Sequence, residues 1–230
     1  MTKGDAMKNT RWSINLALPA LVLAWLLSGC AATRSTFDVP IAQAPSDTTK
    51  GFVKITQVRD QRRFETAPRN PSTPSLQNPE EIHDPAITAR AIARKRGGDG
   101  NAMADILLPE GRTVEQLVRE AVAKAVQEKG YAVVNEQSPA FARALPLAVD
   151  IQQFWSWATP GFWQVSAEFE GILLLKSEAL LVSPQEAVRG YGIVKGMAIT
   201  DDVWQHVMQQ GIADLVDQVK AKVKNPAGSL

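Results

Sequence analysis

The residue with the most distinctive chemistry in this chain is its only cysteine, Cys30, which follows Leu27, Ser28 and Gly29. Small residues before the cysteine leave the backbone accessible to a peptidase, and the thiol is a nucleophile that a diacylglycerol donor can alkylate. Cleavage before Cys30 frees an amine for a further acyl chain, and two or more chains give stable anchoring where one is marginal. Cys30 is therefore the candidate for covalent lipidation, and no other cofactor is expected.

The residues before Cys30 have the composition of a bacterial signal peptide. Lys8 and Arg11 form a positive n-region, and a run of about a dozen apolar residues from Leu16 to Leu27 is too short to span a bilayer, which takes about 20. The end of this segment resembles the bacterial lipobox, and an ordinary signal peptide with a chance cysteine is the alternative. Ala31, rather than Asp, follows Cys30. By resemblance to known sorting rules, this favours the periplasmic face of the outer membrane.

Composition and motifs exclude several classes of function. The chain carries 25 basic and 24 acidic residues, and the part after Cys30 has a net charge of about −1, so nothing suggests a nucleic-acid partner. His83 and His206 are the only histidines, and no cysteine or histidine spacing predicts a metal site. No serine motif supports nucleophilic catalysis. We therefore expect a protein that is not an enzyme and holds no metal.

The chain divides by composition into four parts. We predict a signal peptide over 1–29, a polar lipid-anchored tether over 30–50, a periplasmic α/β domain over 51–224 and a tail over 225–230. A Pro-rich loop insertion lies near 63–100 of the domain. Alternating apolar residues predict strands that include a long hairpin over 147–175, and helical spacing predicts helices over 114–129 and 201–223. The first of these helices has an apolar face at i, i+3, i+4 and i+7 spacing, a capping box at Thr113 and Gln116, and Gly130 expected after its end. The order predicts an α+β fold, with two helices packed on one face of a mostly antiparallel sheet in a two-layer sandwich.

Short motifs accompany this order of elements. They are the lipobox at Cys30, Val58-Arg59-Asp60-Gln61-Arg62 after the first strand, Ala104-Asp105-Ile106 before the first helix, Leu117-Val118 through Gly130-Tyr131, and Val149-Asp150-Ile151 at the start of the hairpin. Over about residues 51–223, the chain resembles the YajG-type family of uncharacterised bacterial lipoproteins. The resemblance implies outer-membrane attachment and no established activity. The insertion over 69–84 is longer than the family pattern.

The aromatic residues of the hairpin form the most unusual local feature, with Trp155, Trp157, Phe162 and Trp163 close in sequence. Tryptophan is enriched in binding hot spots and at membrane interfaces. Alternation places Trp155, Trp157 and Trp163 on the face of the core residues, so packing in the core is the alternative to binding.

Two groups of charged residues are further candidates. Asp60 and Arg62 follow the first strand, where they could contact a ligand or partner, or Asp60 could simply pair with an arginine and end the strand. The basic cluster Arg90, Arg94, Lys95 and Arg96 precedes a Gly-rich turn and could meet anionic headgroups, or form a solvated loop.

The sequence thus favours a lipid-anchored, non-catalytic module of the cell envelope that binds or recruits an envelope protein. The alternative is a binder of lipid, lipopolysaccharide or cell-wall glycan, through the aromatic hairpin and the basic loop. A hydrolase with an unrecognised site ranks last.

Overall fold

The structure, a computed structural model, describes residues 34–42, 49–97 and 102–226. Leu27, Ser28, Gly29 and Cys30, with the rest of the predicted signal peptide, lie outside these residues, as does most of the predicted tail. None of the helices within the described ranges has the length and apolarity that a membrane span requires.

Over the described residues, the chain forms eight strands and three helices. The strands are β1 (Ser35–Thr36), β2 (Gly51–Asp60), β3 (Ala91–Arg96), β4 (Ala102–Leu107), β5 (Tyr131–Val133), β6 (Leu145–Pro160), β7 (Val165–Lys176) and β8 (Gln185–Gly196). The helices are α1 (Pro85–Thr88), α2 (Val114–Glu128) and α3 (Asp201–Lys222). Short 3-10 turns lie at Pro79–His83 and Phe141–Arg143.

The long strand β6 organises one mixed sheet. Along one edge it pairs with β7, which pairs with β8, and both pairs are antiparallel. Along the other edge, the first part of β6 pairs in parallel with β2, and its later part pairs in parallel with β3. Outward from these two strands, β5 runs parallel to β2, β4 runs antiparallel to β3, and β1 runs parallel to β4.

The predicted two-helix, mostly antiparallel, two-layer sandwich is therefore wrong. Four of the seven strand pairs among the described residues are parallel, and a third helix lies in the insertion. The reason is the path of the chain, which leaves β2, passes through the insertion and returns as β3 beside the same strand β6. After β4, helix α2 carries the chain to β5, which pairs in parallel with β2. A parallel pair requires a crossover connection of this kind.

Helices α2 and α3 pack on one face of the sheet and form the main core with it. Helix α2 begins at a capping box in which Thr113 and Gln116 bond reciprocally, and Gly130 with φ 95° follows its end, as the sequence predicts. The predicted apolar face is also confirmed. Its buried residues are Val114, Leu117, Val118, Ala121, Val122, Ala125 and Val126.

A bulge in β6 redirects the tryptophans. Ile151 lies opposite Leu173, but Gln153 lies opposite Ile172, so one extra residue enters β6. Since side chains alternate between faces, the extra residue reverses the pattern beyond it. The prediction that Trp155 and Trp157 share a face with the core residues before the bulge is wrong.

The insertion forms a layer on the opposite face of the sheet. Trp155 and Trp157 are buried there under Leu76, with partly buried side chains such as Phe64 and Ile82 around them. The Phe64 and Trp155 rings meet edge to face, with centroids 5.9 Å apart. Arg94 Nη1 donates to the carbonyl of Leu76 over 2.9 Å, which ties the insertion to β3. The Pro-rich segment is therefore part of the fold.

The segment predicted as a tether is folded over residues 34–42. Ser35 and Thr36 form β1, and Val39 is buried in the main core. Lys95 Nζ donates to Ser35 Oγ over 2.6 Å, and Ser35 Oγ donates to Asp201 over 3.2 Å. The described domain thus begins at Arg34, which pairs with Glu81.

Glycines allow α3 to lie directly on β7 and β8. A Cβ on Gly190 would lie 2.5 Å from Leu215 Cβ, and one on Gly192 would lie 2.8 Å from the backbone N of Gly211. A Cβ on Gly211 would lie 2.9 Å from a ring carbon of Phe169. The helix and the strands approach so closely that a side chain at Gly190 or Gly192 requires backbone movement, and one at Gly211 displaces the Phe169 ring.

We predict that Gly192→Ala lowers the free energy of unfolding by about 1–3 kcal/mol, the usual cost of overpacking a core. Urea unfolding followed by circular dichroism measures this loss. The control is Gly196→Ala, near the exposed end of β8, where the closest atom is 3.3 Å from the added Cβ. An equal loss in both variants would contradict the role given to the close approach.

Candidate functional site

The side chain of Arg62 is fully buried and bonded on every N–H. Its Nε donates to Asp60 Oδ1 over 2.9 Å, and its Nη2 donates to Asp60 Oδ2 over 2.6 Å and to the carbonyl of Thr88 over 2.8 Å. Its Nη1 donates to the carbonyls of Ala91 and Phe154 over 2.6 and 3.1 Å. The guanidinium therefore joins the end of β2 to the start of β3 and to β6, and the fold uses all five of its donors.

The other residues of the strand-end motifs also meet across β2 and β6. Arg59 Nε donates to Asp150 Oδ1 over 2.8 Å, and Lys176 Nζ donates to Asp150 Oδ2 over 2.6 Å. The hydrogen bonds from Arg59 and then from Lys176 hold the pKa of Asp150 below its ordinary value. Gln152 Nε2 donates to Gln61 Oε1 over 2.8 Å. The motifs at 58–62 and 149–151 thus hold two parallel strands together.

A recess of about 410 Å³ opens beside Asp60 and Arg62. Glu115 on α2 accepts the backbone N–H of Asp60 over 2.8 Å, and His83 contributes an exposed ring to the wall. Among the described residues, no three histidine, cysteine, aspartate or glutamate side chains are grouped so that they could hold a metal ion.

A larger groove, of about 670 Å³, lies between α2 and the edge strand β5. Its walls include apolar side chains such as Ile55, Val133 and Phe141. Gln127 Oε1 is buried in its wall, and no partner for this atom is found within the described residues. The groove is therefore an amphipathic surface, and none of the four predicted aromatic site residues lines it.

The four predicted aromatic site residues fall into two pairs. Trp155 and Trp157 are only 1% and 8% exposed, beneath the insertion, whereas Phe162 and Trp163 are 90% and 81% exposed. The exposed pair occupies the turn between β6 and β7, with ring centroids 4.8 Å apart and planes at 90°. The structure separates a buried tryptophan pair from a solvent-facing one.

Met197 joins the exposed aromatic pair at the same end of the sheet. Val165, just after the turn, lies opposite Gly196 at the end of β8, and Met197 follows with 87% of its surface exposed. We call Phe162, Trp163 and Met197 the apolar tip. Sequence reasoning missed Met197 because only the register of β7 with β8 places it there.

The basic cluster is engaged within the fold. Arg90 donates to the carbonyl of Leu108 over 2.9 Å, Lys95 pairs with Asp201 over 2.6 Å, and Arg96 Nη2 donates to the carbonyl of Pro68 over 3.4 Å. Arg94 is buried, which lowers the pKa of its guanidinium.

Asp105 lies opposite Arg94 in the register of β3 and β4 and is also buried. Its Oδ1 accepts the backbone N–H of Gln77 over 2.8 Å, and its Oδ2 lies 3.6 Å from Arg34 Nε. Burial raises the pKa of this carboxyl. Through their bonds to the backbone at Leu76 and Gln77, Arg94 and Asp105 attach the insertion to β3 and β4.

No protein-family model and no curated protein match the chain. The crystal structure of an uncharacterized protein is similar to it with a TM-score of 0.45 and 13% identity, over 82% of this chain and 97% of that chain. Protein XCC0632 from Xanthomonas campestris, of the family DUF330, has a TM-score of 0.42 and 12% identity, over 82% and 93%. The hypothetical protein CT253 from Chlamydia trachomatis has a TM-score of 0.35 and 9% identity, over 76% and 100%. The similar structures are thus uncharacterised bacterial proteins of low identity.

We predict that Arg62→Lys destabilises the domain by about 1–3 kcal/mol for each buried carbonyl that loses its donor. Lysine keeps the charge but has three donors, so carbonyls of Thr88, Ala91 or Phe154 lose their partner. Denaturant unfolding measures the loss. Arg63→Lys, at the neighbouring exposed position, is the matched control, and comparable stability of both variants would show that the guanidinium contacts contribute little.

We predict that the stabilising contribution of Asp150 depends on pH. Its pKa is lowered in the folded state, so the contribution is present above the unfolded pKa of about 3.9 and is lost as the pH falls through the folded pKa. Asp150→Asn should therefore be less stable than wild type at pH 7, and the difference should shrink in acid. The free energy of unfolding in urea, measured for both proteins at pH 7 and in acid, checks this. Glu178→Gln, at an exposed position, is the control. A difference independent of pH would contradict the ion-pair account.

Proposed function

We propose that this chain is a lipid-anchored periplasmic lipoprotein of the bacterial outer membrane, with the sequence pattern of the YajG-type family. Acylation at Cys30 attaches the protein to the membrane, and the domain acts as a non-catalytic binding module of the cell envelope. The apolar tip is the surface through which it makes contact.

The observation that carries this proposal is the exposure of two adjacent aromatic rings, Phe162 and Trp163, at the end of a long hairpin. Burying apolar surface contributes about 25 cal/mol per Å², so two large exposed rings are a substantial unused source of binding free energy. Strands β6 and β7 are paired from Pro160 and Val165 back to Ala148 and Lys176, which holds the rings on a rigid support. Rigid aromatic side chains lose little conformational entropy when they bind.

The polar clusters support a role without catalysis. Arg62 has its donors occupied by Asp60 and backbone carbonyls, and Asp150 is held between Arg59 and Lys176. These groups stabilise strand junctions, and their hydrogen bonds are already made within the fold.

Two kinds of occupant fit a solvent-facing apolar tip. An adapter would place it against an envelope protein, whereas a lipid, lipopolysaccharide or glycan binder would place it against the envelope itself. Because these occupants differ in mass and chemistry, covalent capture at the tip distinguishes them.

We predict that a photo-crosslinking residue at Phe162 or Trp163, in the full-length protein in living cells, captures an adduct. The same residue at Val182, which is 62% exposed in the connection after β7, is the matched control and should capture little. In parallel, Cys30→Ser should abolish incorporation of labelled palmitate.

A dominant protein adduct identifies an adapter, and an adduct with lipid or glycan identifies an envelope binder. Equal capture at Val182, or none at the tip, would contradict the tip as the contact surface. Palmitate labelling that persists in Cys30→Ser would contradict the anchor.

A further inference from the structure

Little chain separates the predicted anchor from the folded domain. The described structure begins at Arg34, and Ser35 is fixed by its contacts with Lys95 and Asp201. Cys30 lies four residues before Arg34 in the sequence. Four residues span at most about 14 Å even when fully extended, so an acylated Cys30 would hold the start of β1 close to the bilayer.

Strand register fixes which end of the sheet is near this start. Ser35 lies opposite Ile106, Ile106 opposite Ala93, and Ala93 opposite Ser156, so these four residues form one row across the sheet. From Ser156, β6 continues for four residues to Pro160, about 13 Å, before the turn with Phe162 and Trp163. In the other direction, Leu145 is eleven residues away, about 36 Å.

The directions of the strands also indicate that the chain enters β1 from the end of the sheet that carries the apolar tip. Strand β1 is parallel to β4, β4 is antiparallel to β3, and β3 is parallel to β6. The residues before Ser35 therefore approach from the end of the sheet at which β6 finishes. A connection of about 14 Å reaches the level of the tip, but less than half of the distance to the opposite end.

We infer that the apolar tip rests in the interfacial region of the bilayer to which Cys30 is anchored, so that the membrane surface itself is its occupant. This inference rests on the proposed lipidation of Cys30. Tryptophan is enriched at membrane–water interfaces, and phenylalanine serves as an apolar anchor at the boundary between headgroups and acyl chains. Met197 adds a flexible apolar contact beside them.

The contact is apolar in character. The nearby basic residues Lys95 and Arg96 already hold bonds to Asp201 and Pro68 inside the domain. Polybasic attraction to anionic lipid weakens with salt, whereas burial of apolar side chains does not. The tip should therefore keep its membrane contact in high salt.

Tryptophan emission reports this contact directly. Of the tryptophans in the described residues, Trp155, Trp157 and Trp204 are buried, and Trp163 faces solvent. The test uses the purified, lipidated mature protein, which begins at Cys30 and so lacks Trp12 and Trp25. It is placed in vesicles of phosphatidylethanolamine and phosphatidylglycerol, with or without bromine on the acyl chains. Brominated lipid should quench a component of the wild-type emission in both low and high salt, and Trp163→Phe should lose that component.

The matched control moves the reporter to the other end of the sheet. Val182→Trp in the Trp163→Phe background should have an exposed tryptophan that brominated lipid does not quench and that aqueous iodide does. Thermal unfolding of both variants near the wild-type temperature confirms that they are folded.

The outcomes separate this inference from the proposed function. Quenching of Trp163 by brominated lipid, but not of the tryptophan at 182, supports the bilayer contact. Quenching by iodide alone, with palmitate on Cys30 and a protein adduct at Trp163, overturns the bilayer contact and leaves the binding module standing. Absence of palmitate on Cys30 overturns both.

Discussion

The guanidinium of Arg62 lies where two strands succeed each other along one edge of β6. Strand β2 ends there and β3 begins, and the carbonyls of Ala91 and Phe154 would otherwise face each other in the interior without donors. An unpaired buried carbonyl costs about 1–3 kcal/mol, so this junction needs a group with several donors in a fixed plane. Arg62 supplies them, and Asp60 balances its charge.

The layer formed by the insertion depends on this junction. Once β3 is set beside β6, Arg94 and Asp105 project from β3 and β4 toward the insertion and bond to the backbone at Leu76 and Gln77. The insertion then covers Trp155 and Trp157. The insertion does not cover the end of the hairpin beyond these tryptophans. The apolar tip is therefore exposed because the layer formed by the insertion ends before it.

Local signals were sufficient for α2, since its capping box and apolar spacing specify its start and its buried face. They were not sufficient for the sheet. The parallel pairing of β3 with β6 joins Ala93 to Ser156, and nothing near either residue specifies the other. The bulge after Ile151 is similarly a property of the register, and it decided which tryptophans are buried. Residue type alone made Phe162 and Trp163 binding candidates. Alternation placed Trp163 on the core face, which is wrong, because it lies exposed in the turn before β7. Met197 required the register of β8.

The short connection between Cys30 and Arg34 affects how this domain would encounter other molecules. With an acylated Cys30 and a connection of about 14 Å, diffusion would be confined to the membrane plane, and the domain would stay close to the lipid. The groove between α2 and β5 would move with it along the membrane surface. A molecule embedded in or bound to the same leaflet meets it at high effective concentration, while one crossing the periplasm must first come down to the membrane.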